Sequence, residues 1–388
     1  MKLLLKTGFR QASGTVRRWT GFAVISLMTL GLVQLTILFP LSIERFNVAQ
    51  NIFEQYNLVD TYFTIHGNTK DTTNYTDDIV IVDVAGVNDC DILAKYIEMI
   101  GSASPKVIGF DIHFDKLCDC SDTNLVRVLS ATSNLVTINY LTDSIQWNKF
   151  RKKQDFFSEC YTPVNSGFSN LVEDKGFSST YRKFTDYMFL NRDTVRSFAS
   201  VIAQIAMPDK YKALIHRKFD TEFIDYTNYG FEKIFATNTD TLSKQLYKLE
   251  NQIVLIGDLE DYKDKLATPI NPQMSGVEIH AYILATIQNG NYIYQMPEPV
   301  TWILAFFIIM LMASLKYWIA NKNEWLSLFM PVFQLIIILS GIFVDYWLFI
   351  EFHYYIPVIR ILIGMAILGF PYDLYYKILK TTRNYKKQ

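Results

Sequence analysis

Apolar positions along this chain fall into four long stretches and, between the first two, a series of short β-branched runs. The long stretches, 19–40, 299–320, 325–344 and 354–376, predict four transmembrane helices. Residues 21–39 hold 19 positions without a charge. As a helix this is about 28 Å at ~1.5 Å per residue, against a hydrocarbon core of about 30 Å. Residues 325–344 are a second uncharged run, of 20 positions, whereas Lys316 shortens the stretch before it and Arg360 interrupts the last one. The first run exceeds the ~7–15 apolar residues of a secretory leader. No small-residue cleavage site follows it near Phe39-Pro40-Leu41, so it reads as an anchor.

The 41–298 block has a different rhythm. Ile79-Val80-Ile81-Val82-Asp83-Val84 is a short apolar, β-branched run bounded by Asp78 and Gly86, the pattern of a strand buried on both faces. Residues 89–100 follow as a helix, with Ile92, Tyr96, Ile97 and Ile100 near one face. After the break at Ser104-Pro105, residues 107–112 form a second strand, 122–130 a helix with Asp122 as N-cap, and 135–140 a third strand. This order predicts an α/β exported domain with a mainly parallel sheet. The middle, 141–230, is rich in Asn, Ser, Thr, Tyr and Phe, and only 197–206 reads clearly as helix. The alternation then resumes with a helix at 241–249, a strand at 252–257 and an amphipathic helix at 276–288. Between Ile43 and Thr76 the pattern predicts a membrane-proximal helix and a polar loop.

Charge sets the expected orientation. Lys2, Lys6, Arg10, Arg17 and Arg18 precede the first stretch and Lys377, Lys380, Arg383, Lys386 and Lys387 follow the last, with no acid in 1–18 or 377–388. By the positive-inside rule both tails are cytoplasmic and 41–298 is extracytoplasmic, in a multi-pass membrane protein. The net charge of −1 says little about partners, and no basic face suggests nucleic acid. Arg151-Lys152-Lys153 is an isolated basic cluster, read as a solvated turn. All four cysteines (Cys90, Cys118, Cys120 and Cys160) fall in the exported block. A disulfide involving Cys160, free thiols, or a metal site around Cys118-Asp119-Cys120 are the open readings.

Gln252-Ile-Val-Leu-Ile-Gly257, Asp264, Thr268-Pro269 and Ser275-Gly276-Val277-Glu278-Ile279-His280-Ala281 together resemble the C-terminal signature of the CHASE domain of type 2. This is a cyclase- and histidine-kinase-associated sensory extracellular domain of bacteria. Residues 79–84 resemble the family's opening strand with its aspartate, and Val107-Ile-Gly-Phe-Asp-Ile-His-Phe114 its second. Asp174-Lys175-Gly176 with Arg182 is a looser echo of an Asp-Gly…Arg segment. The resemblance covers roughly 45–298, and the closely spaced apolar stretches after it also look like the family. It implies an extracytoplasmic sensory function at the bacterial inner (cytoplasmic) membrane. Members usually continue into a kinase or cyclase, whereas here only 377–388 follow the last stretch, so a chain without a fused effector is expected.

Several residues could carry chemistry. Asp83 and Asp111 end the first two predicted strands and Asp258 follows the strand ending at Gly257. The carboxyl edge of an open parallel sheet is where ligands bind. His113, Asp115 and His280 could join them in a small-ligand or ion pocket. The same aspartates would equally serve to accept backbone N–H bonds from the following loops. His280 is expected to dock its helix onto the 264–268 loop. In the last stretch Arg360 would cost about 2.5–3.5 kcal/mol at a membrane centre. It is therefore expected to snorkel outward and pair with Asp345 at the outer end of the third stretch. Gln34 and Gln334 are the most polar residues otherwise near mid-span, too little for a transport path. No Gly-x-Ser-x-Gly, His-Glu-x-x-His or phosphate-cradling Gly-rich loop occurs, and the chain is not expected to be an enzyme. No cofactor is indicated. The pattern predicts a membrane sensor or signalling subunit that relays to a separate membrane or cytoplasmic protein. The alternative is a structural or scaffold subunit of an envelope complex.

Overall fold

The computed structural model describes residues 2–38, 58–67, 75–87, 89–112, 123–146, 148–155, 165–174, 180–227, 230–322 and 329–385. The chain divides into two units, Met1–Phe53 with Ile293–Gln388, and Glu54–Tyr292. The first begins with helix α1 (Lys2–Leu38).

Unit Glu54–Tyr292 opens on helix α2 (Leu58–Gly67), and the β-branched run that follows it lies in β1 (Tyr75–Asp83). Helix α3 (Cys90–Ser102) starts where the Asp89 carboxylate accepts the backbone N–H groups of Asp91 and Ile92. Then come β2 (Val107–Asp111), α4 (Thr123–Ala131) and β3 (Leu135–Gln146). The middle is β-rich: β4 (Lys149–Asp155), β5 (Asn165–Phe168), β6 (Val172–Asp174), β7 (Thr180–Phe184), β8 (Tyr187–Leu190) and β9 (Asp193–Arg196). Helices α5 (Phe198–Ala206) and α6 (Pro208–His216) follow, then β10 (Glu222–Phe223), β11 (Gly230–Phe235) and the short α7 (Thr239–Ser243). The unit closes with β12 (Ile253–Gly257), the small strands β13 (Lys265–Leu266) and β14 (Met274–Ser275), and α8 (Gly276–Asn289). The helix expected at 241–249 is therefore two pieces, α7 and a 3-10 turn at Leu246–Lys248. Arg151-Lys152-Lys153 is not a turn but exposed strand in β4.

The main sheet runs β11-β1-β12-β2-β3-β4-β8-β9, with β5 also on β3. Strands β11, β1, β12, β2, β3 and β5 are mutually parallel, and antiparallel pairing enters only with β4 and β9. Period-2 alternation sends Val80, Val82, Ile108, Phe110, Val254 and Ile256 into one core with Leu93, Ile97 and Ile100 of α3 and Leu125 of α4. The opposite face meets α5 and α8. There a Cβ on Gly109 would fall 2.6 Å from Ile202 Cδ1, and one on Gly167 would fall 2.6 Å from the backbone N and Cα of Phe198. The result is a sheet covered on both faces, which is why its strands read as unbroken apolar runs.

In the other unit, α9 (Glu298–Lys322) and α10 (Met330–Phe352) are long apolar helices, and β15 (Tyr294–Gln295) pairs with β16 (Tyr354–Tyr355). Two shorter helices, α11 (Ile359–Ile367) and α12 (Gly369–Tyr385), complete it. Among the described residues, three helices are long and apolar enough to cross a membrane, four if the pair α11 and α12, bent by 44°, is one span. Pro371, which has no N–H to offer the preceding turn, accounts for the bend. Asp345 and Glu351 both lie within α10, because the helix runs on to Phe352 and is capped by His353 in the left-handed region at φ 50°. Phe22 and Ile25 of α1 pack with Ile309 of α9 and Met365 of α11.

Arg360 does not pair with Asp345. Its guanidinium lies 2.8 Å from Glu298 Oε1 and over the Trp302 ring at 5.2 Å. The β15–β16 pairing brings the start of α9 next to the chain entering α11, so a first-turn carboxylate of α9 reaches Arg360. Asp345 is instead buried, at 2% exposure.

Candidate functional site

Strands β1, β12 and β2 run parallel and adjacent, with Asp83, Gly257 and Asp111 in register at their carboxyl ends. The expected aspartates therefore do meet at one edge of the sheet. Asp83 is buried, and its Oδ1 accepts the N–H groups of Ala85 and Leu259, each at 3.0 Å. One carboxylate thus ties the turn after β1 to the loop after β12. Asp258 turns its Oδ1 back onto the N–H groups of Glu260 (2.8 Å) and Asp261 (3.1 Å). Both make the backbone-capping contacts that short acidic side chains favour in loops.

Asp111 has a different environment. Burial, and next to it the Asp264 carboxylate, raise its pKa well above the ordinary carboxylate range. Asp264 itself is pushed up to about 6, by burial first and by Asp261 and Asp258 as like charges, against the opposing pull of the Gly276 N–H and Lys265. Its Oδ2 accepts the Gly276 N–H at 2.8 Å, at the start of α8. A Cβ on residue 276 would sit 2.5 Å from that oxygen, so glycine is what lets the carboxylate reach the helix. Carboxyl groups held above the ordinary range can each donate a hydrogen bond to a ligand or accept one from it. The described residues contain no group of three or more His, Cys, Asp or Glu able to hold a metal ion.

The loop from Asp258 to Ser275 also reaches away from the acids. Ala267 bridges Thr180, and its carbonyl accepts the Tyr181 N–H at 2.9 Å. Two residues on, Arg182 of β7 is buried and grips Asp60 of α2 with two nitrogens, Nε to Oδ1 at 2.7 Å and an η-nitrogen to Oδ2 at 2.6 Å. Phe63, one turn along α2, packs edge-on against Tyr226, and the Tyr226 hydroxyl donates to the Tyr181 carbonyl at 2.8 Å. The strand-end loop, β7 and α2 form one connected structure.

His280 is buried on α8 with its ring edge-on to Phe198, 5.1 Å between centroids. The expected docking of α8 onto the 264–268 loop occurs, but Gly276 makes the contact. Glu278 secures the same helix start by accepting from the Ser275 N–H and hydroxyl at 3.1 and 2.8 Å. His113 and Asp115 lie outside the described residues. Cys90 is disulfide-bonded, so for it the free-thiol reading fails; its partner is one of Cys118, Cys120 and Cys160, all of which lie outside the described residues. Asp60, Arg182 and Asp264 are the site residues that sequence reasoning passed over as chemistry. Asp264 and Arg182 stood inside quoted family segments, while Asp60 carried no signal.

An open, largely parallel sheet with acids at its carboxyl edge, in a chain whose described residues hold three to four membrane-length apolar helices, defines a membrane-associated α/β domain protein. The CHASE2 domain model matches residues 28–315, and the chain belongs to that family, an extracellular sensory domain. No curated protein and no solved structure matches the chain.

Proposed function

We propose that this protein is a membrane sensor or signalling subunit. Its extracytoplasmic domain takes up a ligand or partner at the carboxyl edge of β1, β12 and β2. The shift passes through the loop from Asp258 to Ser275 to β7 and, by way of Arg182 and Asp60, to α2. Helix α2 follows α1 in the chain and α8 precedes α9, so both segments next to the apolar helices lie within reach of that loop. The helices then act on a separate membrane or cytoplasmic protein, with both basic tails on the cytoplasmic side. The observation that carries this reading is the double attachment of the loop, to Asp83 at the sheet edge and to β7 beside α2.

Hydrogen exchange on the purified full-length protein in nanodiscs tests it. Asp264→Asn, which disturbs the sheet edge and the start of α8, is expected to change the protection of α2 backbone amides. Unaltered exchange at α2, with altered exchange at the start of α8, would sink the relay and favour a rigid docking scaffold. Reporter fusions at Gln388 and near Asn165 are expected to lie on opposite sides of the membrane. Turnover of any substrate by the full-length protein, lost on Asp111→Ala, would overturn the sensory reading.

A further inference from the structure

Helix α8 stops at Asn289-Gly290-Asn291. Gly290 takes the left-handed conformation at φ 70°, and its N–H caps the helix on the Thr286 carbonyl at 2.9 Å. A side chain is strained at that φ, so the chain turns where glycine stands. Two residues on, Tyr292 is buried and closes unit Glu54–Tyr292, and in chain order Glu298 then opens α9. Residues 290–292 are therefore the exit of the sensory domain towards the apolar helices.

The exit is tied to β10 and to the loop before it. The Arg217 guanidinium lies over the Tyr292 ring at 4.4 Å. Glu222 of β10 fixes that guanidinium with both carboxylate oxygens, Nε to Oε1 at 2.6 Å and an η-nitrogen to Oε2 at 3.2 Å, with side chains 11% and 6% exposed. Asp225, just past β10, accepts from Asn291 Nδ2 at 3.1 Å, and its N–H donates to the Thr286 hydroxyl at 2.9 Å. Among the described residues the Tyr292 hydroxyl has no hydrogen-bond partner, so the ring face is what Arg217 holds.

Strand β10 in turn follows β7. Glu222 and Phe223 pair with Phe184 and Lys183, and the Ile224 N–H donates to the Arg182 carbonyl at 2.9 Å. The Thr185 hydroxyl pins the intervening loop by donating to the Asp220 carbonyl at 2.8 Å. β7 also receives the 258–275 loop at Tyr181 and grips α2 through Arg182. A guanidinium held by two bonds moves with its carboxylate, so a shift of β7 and β10 carries Arg217 and changes its hold on the ring.

We propose that Arg217, held by Glu222, clamps Tyr292 and gives the sensory domain a second output, by which a shift of β7 reaches the chain entering α9. The proposal rests on the reading of the 258–275 loop as the input. It is distinct from transmission along α8 as a rigid rod, which needs neither Arg217 nor the Tyr292 ring.

Hydrogen exchange of the full-length protein in nanodiscs tests it at the amides of Gly290 and residue 292, which bond to the Thr286 and Gly290 carbonyls. Tyr292→Leu removes the ring face and leaves the Arg217–Glu222 pair whole. Exchange at both amides, corrected for intrinsic rates, is expected to rise about fivefold, the scale of a partly desolvated cation–π contact. Tyr292→Phe keeps the face and is expected to leave exchange unchanged. Asp264→Asn is expected to alter exchange at these amides in the wild-type and Tyr292→Phe backgrounds and not in Tyr292→Leu. Survival of that change in Tyr292→Leu would place the transmission in α8 and overturn the proposal, as would exchange in Tyr292→Leu equal to wild type. A response to Asp264→Asn at α2 without one at 290–292 would also overturn it and leave the loop reading standing. Silence at both places would defeat the loop reading itself, and the second output with it.

Discussion

Arg182 and Arg360 each hold a carboxylate at hydrogen-bonding distance, and their settings differ. In the sensory domain, Arg182 and Asp60 meet at 2.6 Å with side chains 6% and 19% exposed. In the helical unit, Arg360 and Glu298 meet at 2.8 Å with side chains 25% and 64% exposed. Water screens the second pair and largely leaves the first, so equal distances conceal unequal energies. The domain is organised by buried polar contacts that select one arrangement of α2, β7 and the strand-end loop. The helical unit is organised by apolar and aromatic packing, with its ions at the margins.

The largest expected effect breaks the buried pair. Arg182→Met strands Asp60 without its cation and is expected to cost about 3–5 kcal/mol in denaturant unfolding of the full-length protein. Next comes a contrast between two glycines. Gly167→Ala drives a methyl into the backbone of Phe198, which cannot step aside, and is expected to cost about 1–3 kcal/mol. Gly364→Ala meets only the tip of Ile309 at 2.6 Å, which can rotate, and is expected to cost under about 1 kcal/mol. A similar loss at both positions would erase the contrast between the two units.

The third prediction concerns pH. Asp264 has its folded-state pKa raised to about 6, above the ordinary value near 3.8, so the folded domain holds that proton more tightly than the unfolded chain. The resulting stabilisation is complete below about pH 4 and is lost as pH rises through about 6. Melting temperatures measured between these values are expected to fall with rising pH on this account, and Asp264→Asn is expected to flatten the slope. A slope unchanged in the variant would remove Asp264 from the titration. The smallest effect is expected at the margin of the helical unit, where Arg360→Gln should shift stability by less than about 1 kcal/mol. A double-mutant cycle is expected to couple Arg360 to Glu298 and to leave Asp345 uncoupled.

The parallel part of the sheet was legible because burial on both faces writes itself as consecutive apolar residues, as at Ile79–Val82 and Ile253–Ile256. The 141–235 region was not. β11 is an edge strand with Phe235 53% exposed, and β4 puts Arg151, Lys152 and Lys153 on the surface, so neither carries a continuous run. At the candidate site, the positions of Asp83, Asp111 and Asp258 could be read from strand ends, but their partners could not. Asp60 and Arg182 lie 122 positions apart, and no local pattern joins them.

What the sequence determined by itself is therefore local or periodic. It includes the apolar helices, the parallel strands with their crossover helices, the basic ends and the family signature, because each depends on neighbours a few residues away. Tertiary structure alone decided which carboxylate answers which cation. β15–β16 pairing gives Arg360 to Glu298 instead of Asp345, and folding of the 258–275 loop gives Gly276, not His280, the contact that docks α8. Ion pairs and helix-end bonds act over a few ångströms. Those distances are set by how whole elements pack, and the packing is invisible in the order of residues.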